Sequence, residues 1–136
     1  MGVPMSTPRE TVERFLRALE ALDEPAIHAL LHDDAVYQNV PLPPDRGKAA
    51  VIRTLRRFTR LVDHVELRLV HIAESGSIVL TERVDVLAGP LVHAEFWVCG
   101  TFEVRDEKVV LWRDHFDPTE LLAGVLLGKA KRLLFR

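Results

Sequence analysis

The sequence has a single cysteine, Cys99, so no disulfide can close within the chain, and the small secreted scaffolds that depend on such bridges are excluded. A reducing compartment follows, so the expected location is cytoplasmic, with Cys99 read as a small core thiol in a strand. Nowhere does the chain offer the run of about 18 apolar residues that a membrane-spanning helix needs, so no membrane span is expected. Residues Met1 to Ser6 lack the basic and apolar regions of a secretory leader and read as a disordered N-terminus. An excess of positive charge is missing too: 18 Lys and Arg face 20 Asp and Glu, which leaves no electrostatic footprint for nucleic acid. There is neither an internal repeat nor a low-complexity linker. What remains is an ordinary globular composition, 48% apolar and 28% charged over 136 residues, which predicts one domain over 1–136.

The pattern of apolar residues changes period once along the chain. Thr7-Pro8-Arg9-Glu10 is a capping box with proline at the first helical position, and Val12, Phe15, Leu16 and Leu19 follow at helical spacing. Asp23-Glu24-Pro25 caps a second, shorter helix through Leu31. His28 and His32 stand at i and i+4, a metal-pair spacing, but no glutamate follows the first as in the zinc-protease motif, and a solvated helix end is the better reading. Ala35 to Val40 reads as a strand that aims Tyr37 and Asn39 from one face, ended by Pro41, Pro43 and Pro44. With Asp45 as cap, Lys48 to Leu61 makes a third helix. After it the period drops to two: His64 to Ala73, Ser77 to Leu87, Leu91 to Val104 and Lys108 to Phe116 are strands joined by turns short enough for an antiparallel meander. An apolar helix from Leu121 to Leu127 closes the chain. The expected fold is α+β, a curved antiparallel sheet with helices on its concave face enclosing a cone-shaped pocket. Ile78, Leu80, Val84 and Val86 form an apolar row on the opposite face, and a homodimer is expected to cover it.

Three charges interrupt the apolar strands. Arg83 and Asp85 leave the same face of one strand, and Asp114 lies on the strand two positions away, about 10 Å off, a gap that a guanidinium can bridge. Asp114 shares its face with Val110, Trp112 and Phe116, so it belongs in an apolar, concave setting. Two carboxylates around one arginine there would bury net charge, which is costly, whereas one retained proton makes the trio neutral. That state holds one carboxylic acid and one carboxylate, the equipment for adding water across a strained bond such as an epoxide. Which aspartate holds the proton is left open by this reasoning. Taken by itself, an Arg-x-Asp strand pair is most often structural.

Three segments carry more information than any triplet: Tyr37-Gln38-Asn39-Val40-Pro41-Leu42-Pro43-Pro44, Thr81-Glu82-Arg83-Val84-Asp85-Val86-Leu87 and Trp112-Arg113-Asp114-His115-Phe116-Asp117. They resemble, in order, the signature segments of the limonene epoxide hydrolase family, over roughly Pro8 to Asp117. The resemblance implies an NTF2-like, or SnoaL-like, fold, usually a homodimer, and a one-step hydrolysis of an epoxide to a vicinal diol without metal or organic cofactor. By resemblance Asp114 is the base acting on water, Tyr37 and Asn39 help to hold that water, Asp85 is the acid that protonates the epoxide oxygen, and Arg83 joins the two carboxylates. The chain departs from the family in its long apolar C-terminal segment and in His115, which stands where an aromatic phenol is familiar. That apolar end, with Trp97, Trp112 and the Leu and Val lining, suggests a lipid-like or sterol epoxide as the apolar partner molecule. Two other classes remain open: a ketosteroid-isomerase-like or polyketide-cyclase-like enzyme, and a non-catalytic NTF2-like binding module.

Overall fold

The computed structural model describes residues 5–123. Its first helix, α1 (Pro8–Glu20), starts where the capping box predicts, with Thr7 accepting from the Glu10 amide at 3.1 Å, and it buries Val12, Phe15, Leu16 and Leu19 in one stripe. Helix α2 (Glu24–Leu30) is capped by Asp23. It stops before His32, so His28 and His32 do not share a helix face, and among the described residues no cluster of His, Cys, Asp and Glu could hold a metal. Strand β1 (Leu31–Val40) begins four residues earlier than expected. The two-residue strand β2 (Asp45–Arg46) was not expected at all. It pairs Asp45 with Tyr37, so Asp45 does not cap helix α3 (Lys48–Thr59) but accepts from the Thr54 hydroxyl at 2.6 Å, and Gly47, at φ 90°, takes the cap position instead.

Strands β3 (His64–Ser75), β4 (Ile78–Ala88), β5 (His93–Arg105) and β6 (Lys108–Phe116) form the expected antiparallel meander. The sheet has six strands in the order β2-β1-β6-β5-β4-β3, and it is mixed rather than purely antiparallel, because β1 lies parallel to β6. The parallel pairing needs a long crossover, which β2, α3 and the meander supply, and it could not be read from strand pattern alone. Register shifts within the β3–β4, β5–β6 and β1–β6 pairs mark irregularities of the kind that bend an open sheet. The shift on β6 leaves Val110 as the extra residue, so Val109, and not Val110, joins Trp112 in the core on the concave side.

The outer face differs from expectation in three places. Leu80 is exposed and Ile78 and Val84 are half-buried, but Val86 is already buried within the chain, flanked in register by Glu66 and Glu95, which Arg68 ties together. Cys99 is exposed on this face and is not a core thiol. Trp97 and His115 are exposed beside it, so neither faces the concave interior. Residues 118–123 are helical; the remainder of the expected C-terminal helix, and most of the expected disordered N-terminus, lie outside the described residues. Ser6, within the latter segment, donates its amide to Glu107. No helix among the described residues is long and apolar enough to cross a membrane.

Phe15 ties helix to sheet by edge contacts with Phe102 and Trp112, at 6.4 and 5.2 Å between centroids. Phe15→Ala is expected to lower unfolding stability by about 3–5 kcal/mol, read from a drop in the urea midpoint at unchanged denaturant slope.

Candidate active site

Apolar side chains of helices α1, α2 and α3 and of the inner face of the sheet line a cavity of about 250 Å³. Leu19 of α1, Ile27 of α2 and Leu55 and Phe58 of α3 form one wall, and Val65, Leu67, Leu87, Phe96 and Phe116 the other. Into this lining project five polar residues named from the sequence: Tyr37, Asn39, Arg83, Asp85 and Asp114. All five meet at one place.

Strand register explains how. Arg83 and Asp85 are two apart on β4, so both point inward; Val98 and Phe96 oppose them on β5. Asp114 on β6 pairs across β5 at Gly100, which in turn pairs with Thr81 on β4. Asn39 on β1 pairs with Asp114, and Tyr37 with Trp112. The alternation of three strands, β1, β4 and β6, thus brings the five side chains to one patch of the concave face, with Gly100 of β5 between Asp114 and Thr81.

The guanidinium of Arg83 is 1% exposed and lies between two carboxylates that are 6% and 5% exposed. It donates to Asp85 through Nε to Oδ1 at 3.0 Å and Nη2 to Oδ2 at 2.9 Å. It donates to Asp114 through Nη1 to Oδ1 at 3.3 Å and Nη2 to Oδ2 at 3.1 Å. Both contacts are two-pronged, the arrangement that suits arginine and that lysine cannot reproduce. With both carboxylates ionised the trio would carry one net negative charge away from water, so a single shared proton is the inexpensive state.

Burial holds the Asp114 carboxyl above the usual carboxylate range, against the pull of Arg83 and of the Trp112 indole N–H, which donates to Oδ2 at 3.1 Å; the neighbouring Asp85 charge adds to the rise. Burial also lifts the Tyr37 phenol far above its ordinary range, with the Asp114 charge adding to it, so Tyr37 stays protonated at neutral pH. Asn39 Nδ2 donates to Tyr37 Oη at 2.9 Å, and the Tyr37 ring stacks on Trp112 at 3.9 Å between centroids. Among the described residues neither Tyr37 nor Asn39 bonds directly to Asp114; they present a hydroxyl and an amide to the same cavity.

Sequence reasoning missed three neighbours. Trp112 entered it only as apolar lining, yet its N–H serves Asp114 directly. Thr81 accepts from Arg83 Nη1 at 3.1 Å, and Gly100 lies against the guanidinium. A threonine two residues before a strand arginine was visible in the sequence; a glycine inside a strand is a known mark of close approach by another group.

Over most of its length the chain is similar to proteins of known family and structure. Residues 6–126 match the family model described as limonene-1,2-epoxide hydrolase catalytic domain. The chain is 44% identical over 118 residues to epoxide hydrolase EphG of Mycobacterium tuberculosis, covering 86% of this chain and 78% of that protein. It superimposes on the structure of an M. tuberculosis LEH-like epoxide hydrolase with a TM-score of 0.82 at 38% identity, covering 93% of this chain and 95% of the other. A Shewanella denitrificans protein described as a putative SnoaL-like polyketide cyclase shares the fold, with a TM-score of 0.81 over 88% of this chain and 97% of that one, at 14% identity.

The indole hydrogen bond lowers the Asp114 pKa, so removing it should raise that pKa further. Trp112→Phe, which keeps an aromatic ring against Tyr37, is expected to shift the carboxyl-carbon NMR titration of Asp114 to higher pH.

Proposed function

This chain belongs to the limonene-1,2-epoxide hydrolase family and is an epoxide hydrolase, and from that premise we propose that it adds water to a lipophilic epoxide in one step through Asp114, Arg83 and Asp85. The observation that carries the reading is one buried guanidinium holding two carboxylates by two prongs each. In the proposed reaction the Asp114 carboxylate takes a proton from a water molecule that the Asn39 amide and the Tyr37 hydroxyl help to orient. The water oxygen attacks one epoxide carbon, the carbon–oxygen bond breaks, and the protonated Asp85 carboxyl gives its proton to the departing oxygen. A vicinal diol results, and one proton has moved from Asp85 to the diol while another has moved from water to Asp114. Exchange of a proton between the aspartates, or with solvent, restores the starting state.

Three features support the assignment of roles. Asp114 accepts three donated hydrogen bonds, which suit an ionised group, and its raised pKa makes it a stronger base than a surface aspartate. Asp85 accepts only from Arg83 among the described residues, which leaves its carboxyl able to turn a proton toward a ligand. Tyr37 cannot ionise near neutrality, so it acts as a hydrogen-bonding group and not as a competing base.

The lining supports a lipophilic substrate with an apolar body: the cavity walls are Leu, Ile, Val and Phe, with Leu121 from the start of the C-terminal segment among them. His115 and Trp97 contribute nothing to that preference, because both face outward. We read the chain as one domain that works as a homodimer, with Leu80, Val84 and Trp97 on the outer face covered by a second copy. The one exposed, unbridged cysteine suits a reducing cytoplasm.

A single turnover of a lipophilic epoxide with excess protein in heavy-oxygen water is expected to give labelled diol with no label in Asp85 or Asp114; label in either would mean a covalent ester. Asp114→Asn, Asp85→Asn and Arg83→Gln should each lower the rate about a thousandfold while the circular dichroism spectrum is retained. Sedimentation of the native protein is expected to report a dimer, and a folded monomer at high dilution would remove that part of the reading.

A further inference from the structure

We propose that Thr81 and Gly100 are positioning residues for the reaction: Gly100 leaves the opening through which Arg83 reaches Asp114, and Thr81 takes the guanidinium hydrogen that the carboxylates leave over. A guanidinium has five N–H hydrogens in a fixed plane. Four go to carboxylate oxygens, two on Asp85 and two on Asp114. The fifth, on Nη1, goes to Thr81 Oγ1 at 3.1 Å. Thr81 is itself 4% exposed, so no bulk water stands ready to replace it. Its hydroxyl is a neutral acceptor and completes the arginine without adding a third negative charge to a site that already holds one too many.

Gly100 solves a different problem. Arg83 is on β4 and Asp114 on β6, so the bridge must pass over β5, where every other inward position nearby carries a side chain: Phe96 opposite Asp85 and Val98 opposite Arg83. At Gly100 the opening is bounded by the three groups of the bridge. A Cβ built there would stand 2.6 Å from Arg83 Nη1, 2.7 Å from Thr81 Oγ1 and 2.9 Å from Asp114 Oδ1, all closer than carbon tolerates. The φ angle of Gly100 lies outside the left-handed region, so the backbone does not require glycine; the space does. Because Arg83 is buried and held on its other side by Asp85, an added methyl must separate the guanidinium from Asp114.

Asp114 is faced by Arg83 and Asp85 from β4, by Tyr37 and Asn39 from β1, and by Trp112 of its own strand, while the helices turn only apolar and threonine side chains into the cavity. Arg83 is the cation in this set, and its withdrawal removes the main influence that lowers the Asp114 pKa. The sign is therefore fixed: displacing Arg83 moves the Asp114 titration to higher pH.

The test compares Gly100→Ala, Thr81→Val and Thr81→Ser with the native enzyme in two measurements. Carboxyl-carbon NMR should show the Asp114 titration shifted upward in Gly100→Ala and, by less, in Thr81→Val. Turnover of a lipophilic epoxide should fall about a hundredfold in kcat for Gly100→Ala with little change in KM, since the bridge and not the apolar lining has moved. Thr81→Ser, which restores the acceptor but not the methyl, should recover both readings. Native titration and native kcat in Gly100→Ala and Thr81→Val would overturn the proposal, as would a Thr81→Ser enzyme as impaired as Thr81→Val, which would assign Thr81 to packing. If Gly100→Ala does not fold, the two Thr81 variants decide the matter by the same criteria. The turnover arm rests on the epoxide hydrolase reading; if the native protein turns over no such epoxide, that reading fails while the titration arm still tests the positioning of Arg83.

Discussion

An arginine buried almost completely is the constraint on which the rest of this structure depends. A guanidinium cannot lose its charge in a protein, so removing it from water demands acceptors for every N–H and compensating negative charge nearby. Arg83 finds both, but only by reaching across an intervening strand. That reach requires an open position on β5, a carboxylate level with it on β6 and another beside it on β4. Two carboxylates overcompensate one cation. One retained proton would relieve the excess, and a carboxylic acid beside a carboxylate in an apolar cavity is the pair that acid/base hydrolysis uses.

The helices and the aromatic stack hold that arrangement in place. Phe15 of α1 packs edge-on against Trp112, whose face carries the Tyr37 ring and whose N–H reaches Asp114. A core contact is therefore continuous with the polar site, and side chains on α1, β1 and β6 are fixed relative to one another through one indole. This continuity ties the core to a site whose five polar groups come from three strands, none of which contributes more than two.

Periodicity and capping made the helices and the meander legible, because Thr7, Asp23 and the alternating strands act locally. The Arg83–Asp85–Asp114 cluster was legible too, since strand alternation and meander order suffice to bring those residues to one face. What could not be read depends on contacts distant in sequence. Asp45 looks like a helix cap until its pairing with Tyr37 is known. Val110 looks inward until a register shift on β6 puts Val109 there instead. Trp97 and Cys99 are ordinary strand residues whose side is set by which of their β5 neighbours oppose Arg83 and Asp85, while His115 faces outward because Asp114 beside it faces in. Gly100 has no side chain to suggest chemistry; its meaning lies wholly in what surrounds it.

The Shewanella denitrificans protein shares this fold at a TM-score of 0.81 with 14% identity, so unlike sequences build the same fold, and a fold by itself does not fix a chemistry. A curved sheet covered by helices makes a largely apolar cavity, and a polar group placed on its inner strands has its pKa set by burial and by its few polar neighbours. A lone carboxylate in such a cavity would be held protonated by burial and would be a poor base. Clamping it to an arginine pulls its pKa back down, as Arg83 does for Asp114. In the proposed mechanism the second carboxylate on that arginine is the acid, a role that one buried aspartate could not fill while also serving as the base.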